Sequence, residues 1–209
     1  MVRAAILVSG EGTLFQSVLD SKFFGELPEL ELVAVIATEA NENMLRRAVN
    51  ANVEAFVVEP SNFPTRLSHS MAVSNKLKDM DIDLVILAGY GMPLGVISTQ
   101  FRKRIIGVYP SLVPAFCTEG CDPVAEAITR GCKITGATAF FADIDGHIGP
   151  IILQQTVDIL ESDTPESLGK RILEDAQWRL LPKAVTLFSK GRLEIHGDRV
   201  SILPEPTDK

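Results

Sequence analysis

The sequence predicts an α/β protein built on a Rossmann-like, doubly wound, mostly parallel sheet. Three observations carry that expectation. Short, nearly continuous apolar runs rich in β-branched residues recur along the first half, the pattern of strands covered on both faces. Apolar residues at helical spacing fall between them. A glycine-rich turn joins the first run to the first helix, and in such folds ligands gather at the strand C-termini.

The first strand is read in RAAILVS, Arg3–Ser9, and the helix after it in Phe15, Val18 and Leu19. ELVAVIA (Glu31–Ala37) is the second strand, followed by a helix marked by Leu45, Ala48 and Val49. VEAFVVE (Val53–Glu59) is the third, with Leu67, Met71, Leu77 and Met80 marking the next helix. IDLVILAG (Ile82–Gly89) and Ile105–Tyr109 are the fourth and fifth, and right-handed crossovers set their C-termini on one edge. A helix near Pro123–Thr129 leads to two paired strands, Lys133–Ala142 and Pro150–Ile159. A long C-terminal helix starts with Thr164 as N-cap, Pro165 in the first helical position and Glu166 in the first turn. Leu168, Ile172, Ala176 and Leu180 form its apolar stripe, Pro182 is expected to kink it, and Lys190–Gly191 to close it. RLEIHGDRVSIL reads as a hairpin turning at Gly197–Asp198, and the tail after Pro204 as loose.

The 209 residues, 46% hydrophobic and 22% charged, suffice for one large domain. With no repeat and no linker, residues 1–209 are read as one domain, with a phosphate-binding half over 1–100 and a second half over 101–209. A net charge of -7 argues against nucleic acid as a partner, since no basic surplus exists to displace counterions. The apolar run in MVRAAILVSG is too short for a leader or a membrane span, so the expected compartment is the cytoplasm. The expected partner is a small molecule, and the chain is expected to be a monomer or homodimer.

Gly10 and Gly12, in VSGEGTLFQ, bring backbone N–H groups to a helix start. That suits an anion, and equally a tight turn with no ligand. No Gly-Lys-Ser/Thr follows, and Glu39 stands slightly far past the second strand for a ribose acid. No metal is expected: Cys117 and Cys121 lack a second ligand pair, and the acids of ADIDGH read as a solvated turn. His69 and His196 read as surface residues, and Trp178 as packing in the core or between helices.

SGEGTLFQ, DLVILAGY, YPSLVPAF, KITGATAFFADIDGHIGPIILQ and DTPESLGKRILEDAQW, in this order and spacing, resemble the phosphoribosylglycinamide formyltransferase family over nearly the whole chain. The resemblance implies an N-terminal half that holds a ribonucleotide phosphate and a C-terminal half that helps form a 10-formyltetrahydrofolate pocket. It implies acyl transfer, in which an amide and an imidazole meet the oxyanion and a carboxylate orients the imidazole. At the family's three catalytic positions this sequence has Gly107 for the asparagine, Tyr109 for the histidine and His147 for the aspartate. The phosphate positions implied are Gly10, Gly12, Thr13 and Arg66, with Leu14 and Ala37-Thr38 departing from the pattern. The folate-pocket positions implied are Tyr90, Gly91, Met92, Leu94, Asp143 and Asp145. CTEGCDPVAEA, where the glycinamide would lie, lacks the family's histidines. The expectation is a formyltransferase-like protein with weak or absent transfer. The alternatives are a ligand-binding or regulatory paralogue, and altered chemistry on Tyr109 and His147.

Overall fold

The computed structural model describes residues 1–118, 120–143 and 146–205. Among these residues nine strands form one sheet in the order β3-β2-β1-β4-β5-β6-β7-β9-β8. They are β1 (Val2–Val8), β2 (Leu30–Ala37), β3 (Glu54–Val57), β4 (Leu84–Ala88), β5 (Ile105–Tyr109), β6 (Ile134–Ala142), β7 (Ile148–Asp158), β8 (Leu193–His196) and β9 (Arg199–Ile202). The first five are mutually parallel. β6 runs antiparallel to both β5 and β7, so the sheet is mostly parallel with flanking helices, as the strand patterns imply.

Helices cover both faces. Side chains alternate along a strand, so Ala4, Ile6 and Val8 of β1 join one apolar cluster and Ala5 and Leu7 the other. The first cluster takes α1 (Thr13–Phe23), α2 (Glu42–Asn50), α5 (Pro123–Thr129), α6 (Pro165–Ile172) and α7 (Trp178–Ser189). The second takes α3 (Arg66–Asp79) and α4 (Val96–Gln100). The starts are written in the sequence. Asn41 accepts from the N–H groups of Asn43 and Met44 at α2, and Asp122 caps α5 with Pro123 behind it. Thr65 with Ser68 and Thr164 with Ser167 form capping boxes on α3 and α6.

The long C-terminal helix runs from Pro165 to Ser189, with Pro182 inside α7 and a π turn over Leu173–Gln177 that the sequence does not announce. Three local expectations are corrected. His69 is not a surface residue: it is buried at 1% exposure, with Nε2 2.9 Å from the Val58 carbonyl. On the same helix Leu67 and Met71 face solvent, while Ser70, Val73, Ser74 and Leu77 are buried. α3 packs against α4 at close range, since a Cβ on Gly95 would lie 2.7 Å from Ser70 Oγ, and small polar residues fit where Leu67 would not. Trp178 is 37% exposed and lines a surface groove of about 580 Å³ between α1 and α7.

Candidate functional site

The loops that follow β1, β2 and β4 meet at the C-terminal edge of the parallel strands, and Ser9 ties them together. Its N–H donates to the Gly89 carbonyl at 3.2 Å, and its Oγ accepts from Thr38 Oγ1 at 2.9 Å and from Gly91 N at 3.0 Å. Gly10 (φ 71°) and Gly12 (φ 68°) take the left-handed conformation that lets the chain turn into α1. Gly12 sits against α2, where an added Cβ would lie 3.3 Å from Met44 Cγ. No side chain of the N-cap residue serves the start of α1. Instead Glu39, from the loop after β2, accepts from Gly10 N with Oε1 at 3.0 Å. Arg47 holds the far side of the loop, with Nη1 on the Glu11 carbonyl and Nε on Gln16 Oε1. Thr13 opens α1, and Arg66 is exposed at the start of α3 with no ion pair among the described residues.

Gly107 and Tyr109, two of the positions expected at the reaction centre, lie on the α3/α4 face. Leu87, Tyr90, Leu94, Tyr109, Phe140 and Ile148 share one apolar cluster there. Gly107 stands between Leu87 and Phe140: a Cβ added to it would lie 3.0 Å from Phe140 Cζ and 3.4 Å from Leu87 Cδ1. β5 and β6 pair Gly107 with Phe140, so the ring of the neighbouring strand fills the space a side chain at 107 would need. Tyr109 points to the same face, but its hydroxyl donates to the Phe116 carbonyl at 2.9 Å. Its ionisation is pushed above the ordinary tyrosine range, first by burial and then by the nearby Cys121, Cys117 and Asp122.

The loop that bears Phe116 is clamped to the sheet. Thr138 Oγ1 donates to the Ser111 carbonyl at 2.7 Å and accepts from Val113 N at 3.1 Å. Gln154 Nε2 reaches both the Val113 carbonyl and Thr138 Oγ1 at 3.0 Å. Ser111 Oγ donates back to the Ala115 carbonyl. Proline punctuation in YPSLVPAF thus marks a loop tied to the sheet by hydrogen bonds.

His147 enters from the turn between β6 and β7. It is exposed, its carbonyl accepts from Asp143 N at 2.9 Å, and no hydrogen bond joins it to Tyr109 among the described residues. The loop after β4 comes down over the same turn: a Cβ on Gly146 would lie 3.2 Å from Leu94 Cγ, and Leu94 is buried. The two walls expected around the folate, one bearing Gly91, Met92 and Leu94 and the other Asp143, are therefore neighbours. Asp145 lies outside the described residues. Tyr90, half-buried in this cluster, has a buried hydroxyl with no hydrogen-bond partner, and burial pushes its pKa up to about 12. Among the described residues no three His, Cys, Asp or Glu side chains gather to hold a metal ion, and the three cysteines are free thiols.

Two of the site's features escape sequence reasoning. Phe140 is half of a Phe-Phe pair inside a strand, and only the β5–β6 register says which ring covers Gly107. Glu39 stands two residues past β2, and only the loop's path brings it to Gly10. An acid just beyond a second parallel strand is the one signal for it.

Residues 2–204 match the formyl transferase family. The phosphoribosylglycinamide formyltransferase of Haemophilus influenzae is 31% identical over 196 residues, covering 93% of this chain and 91% of that one. The phosphoribosylglycinamide formyltransferase of Mycobacterium tuberculosis is 32% identical over 207 residues, covering 96% and 94%. Among solved structures, glycinamide ribonucleotide transformylase 1 from Symbiobacterium toebii superposes with a TM-score of 0.90 at 39% identity, over 98% of this chain and 95% of that one.

Proposed function

The chain belongs to the formyl transferase family, and from that premise we propose that it is a phosphoribosylglycinamide formyltransferase-like protein whose reaction centre has lost the transfer machinery. The cosubstrate on this reading is 10-formyltetrahydrofolate, seated between the loop after β4 and the β6–β7 turn. By the family pattern the acceptor end is the glycine loop, with Gly10, Gly12, Thr13 and Arg66 at the phosphate positions. The protein works in the cytoplasm on small molecules, as a monomer or homodimer, with no nucleic acid and no membrane surface. Its two halves, 1–100 and 101–209, act as one formyltransferase domain.

One observation supports the loss of transfer above the others: Phe140 fills the space beside Gly107. A missing amide leaves room for water or for a substitute donor; a phenyl ring in its place leaves neither. Formyl transfer passes through a tetrahedral oxyanion, and one absent donor typically costs about 10²–10³ in rate. Tyr109 does not make up the deficit, because its O–H already serves Phe116 and a phenol holds its proton at neutral pH. A general acid or base adds about 10²–10⁴ where one is positioned, and no hydrogen bond or ion pair orients the His147 ring among the described residues.

The test is formyl transfer from 10-formyltetrahydrofolate to glycinamide ribonucleotide, run beside a family member that carries the Asn, His and Asp. We expect turnover at least about 10³-fold lower for this protein. Turnover within tenfold of the relative would overturn the reading.

The filled cluster also favours a second reading, a member that binds a reduced folate without transforming it. The buried, unpartnered hydroxyl of Tyr90 supports it, since such a group is an offer of a hydrogen bond that the chain itself does not take up.

A further inference from the structure

We infer that Glu39 is a specificity-determining residue: its carboxylate occupies the glycine loop as an internal anion and bars a phosphate monoester from it. The inference rests on the reading of that loop as the phosphate end of the site.

Glu39 Oε1 accepts from Gly10 N at 3.0 Å, and an added Cβ on Gly10 would lie 3.9 Å from the same oxygen. The carboxylate therefore lies against the backbone of Gly10. The loop's donors are what a phosphate would use, since backbone N–H groups at a left-handed turn before a helix make an anion cradle. A dianionic phosphate brought to that cradle meets a like charge at contact distance.

Neighbouring cations do not neutralise Glu39. Arg47, the basic residue in contact with the loop, directs Nη1 and Nε to the Glu11 carbonyl and Gln16. Glu39 itself takes part in no ion pair among the described residues. Arg66 remains exposed at the start of α3, a cation available to a ligand but not joined to the carboxylate. Thr38, just ahead, has its hydroxyl on Ser9, which fixes the loop that carries Glu39. The contact is thus held by the β2 loop as well as by the acid.

The consequence concerns ligand class. With Glu39 in place the loop prefers neutral or hydroxyl-bearing groups to phosphate monoesters. With the charge removed, the same backbone becomes an ordinary phosphate cradle.

The experiment titrates ribose 5-phosphate into the full chain and into Glu39→Gln and Glu39→Ala, by calorimetry, with ribose as the neutral control. Glu39 is exposed, so both variants should fold, and their thermal unfolding is followed alongside. We expect both variants to bind ribose 5-phosphate at least about tenfold more tightly than the unaltered chain, with ribose unchanged. In 1H–15N spectra without ligand, the Gly10 amide proton should shift upfield in both variants as its charged acceptor is lost. Equal affinity in all three proteins would overturn the role of Glu39 and leave the loop a phosphate site. No binding in any of them, at millimolar ligand, would overturn the reading of the loop as a phosphate site and the inference with it. An unmoved Gly10 resonance would overturn the contact itself.

Discussion

Gly107 and Phe140 have to be considered together, because each makes sense only beside the other. Replacing Gly107 by Asn alone drives a Cβ to 3.0 Å from the Phe140 ring and should cost about 1–3 kcal/mol by overpacking. Adding Phe140→Val opens the space, so the double variant should be more stable than the two single effects predict, a favourable coupling of about 1 kcal/mol or more in a urea-denaturation cycle. Restoring His at 109 and Asp at 147 without freeing position 107 should leave formyl transfer undetected. Tyr90 gives a simpler case. Its buried hydroxyl has no partner, so Tyr90→Phe should leave stability unchanged or raise it by about 1 kcal/mol, read as a shift in the urea midpoint. If a reduced folate takes that hydrogen bond, the same variant should bind it more weakly. At this scale the sequence reveals which reaction-centre positions depart from the family pattern, because local motifs frame them. It does not reveal that a ring covers the gap: adjacent phenylalanines point to opposite faces, Phe140 into the α3/α4 cluster and Phe141 into the other, and the choice is made by strand register.

Among the elements, the start of the C-terminal helix shows how a local signal becomes a tertiary lock. Asp163, just ahead of the N-cap Thr164, takes a two-pronged contact from Arg171, at 2.8 and 2.5 Å, with further hydrogen bonds from Ser167 Oγ and Leu160 N. The guanidinium of Arg171 foremost, then the Leu160 amide and the Ser167 hydroxyl, hold the Asp163 carboxyl well below the usual carboxylate range. A folded pKa depressed below the unfolded value stabilises the fold above about pH 4 and loses that stabilisation as the pH falls toward the folded value. Asp163→Asn should therefore be less stable than the unaltered chain at neutral pH, and the gap should shrink below about pH 4, as measured by denaturation at each pH. A second element-level prediction concerns β6 and β7. A Cβ on Gly136 would meet the Gln155 carbonyl oxygen at 1.9 Å, backbone against side chain. Gly136→Ala should lose about 3 kcal/mol or more, or fail to fold. The Thr164 cap is legible in the sequence because a Thr-Pro-Glu-Ser run states its own geometry. The buried face of α3 was not, because its close approach to α4 selects small polar residues that no apolar pattern marks. The π turn before Trp178 likewise has no signature among Leu173–Gln177.

Across the whole molecule, the parallel, doubly wound character of the first five strands follows from alternation and crossover handedness, and the structure has it; their order comes from the structure alone. What lies beyond β5 is less local: β6 turns antiparallel, and β9 inserts between β7 and β8 through a single pairing, Ile151 with Arg199. No residue pattern announces a join that slight. Ligand binding is a property of the assembled sheet edge, so it is best read on the intact chain. A reduced folate at about a hundred times its Kd should add about 2.7 kcal/mol to stability, seen as a rise in Tm, whereas ribose 5-phosphate at the same concentration should give little rise unless Glu39 is replaced. The placement of the chain's few chromophores bears on how such binding is to be watched. The sole tryptophan, Trp178, sits in the α1/α7 groove on the face of the sheet away from Gly107, while both tyrosines, Tyr90 and Tyr109, stand in the apolar cluster beside Gly107. Indole emission will thus report melting and remain blind to occupancy, and the near-ultraviolet phenol bands will carry the optical signal of a guest.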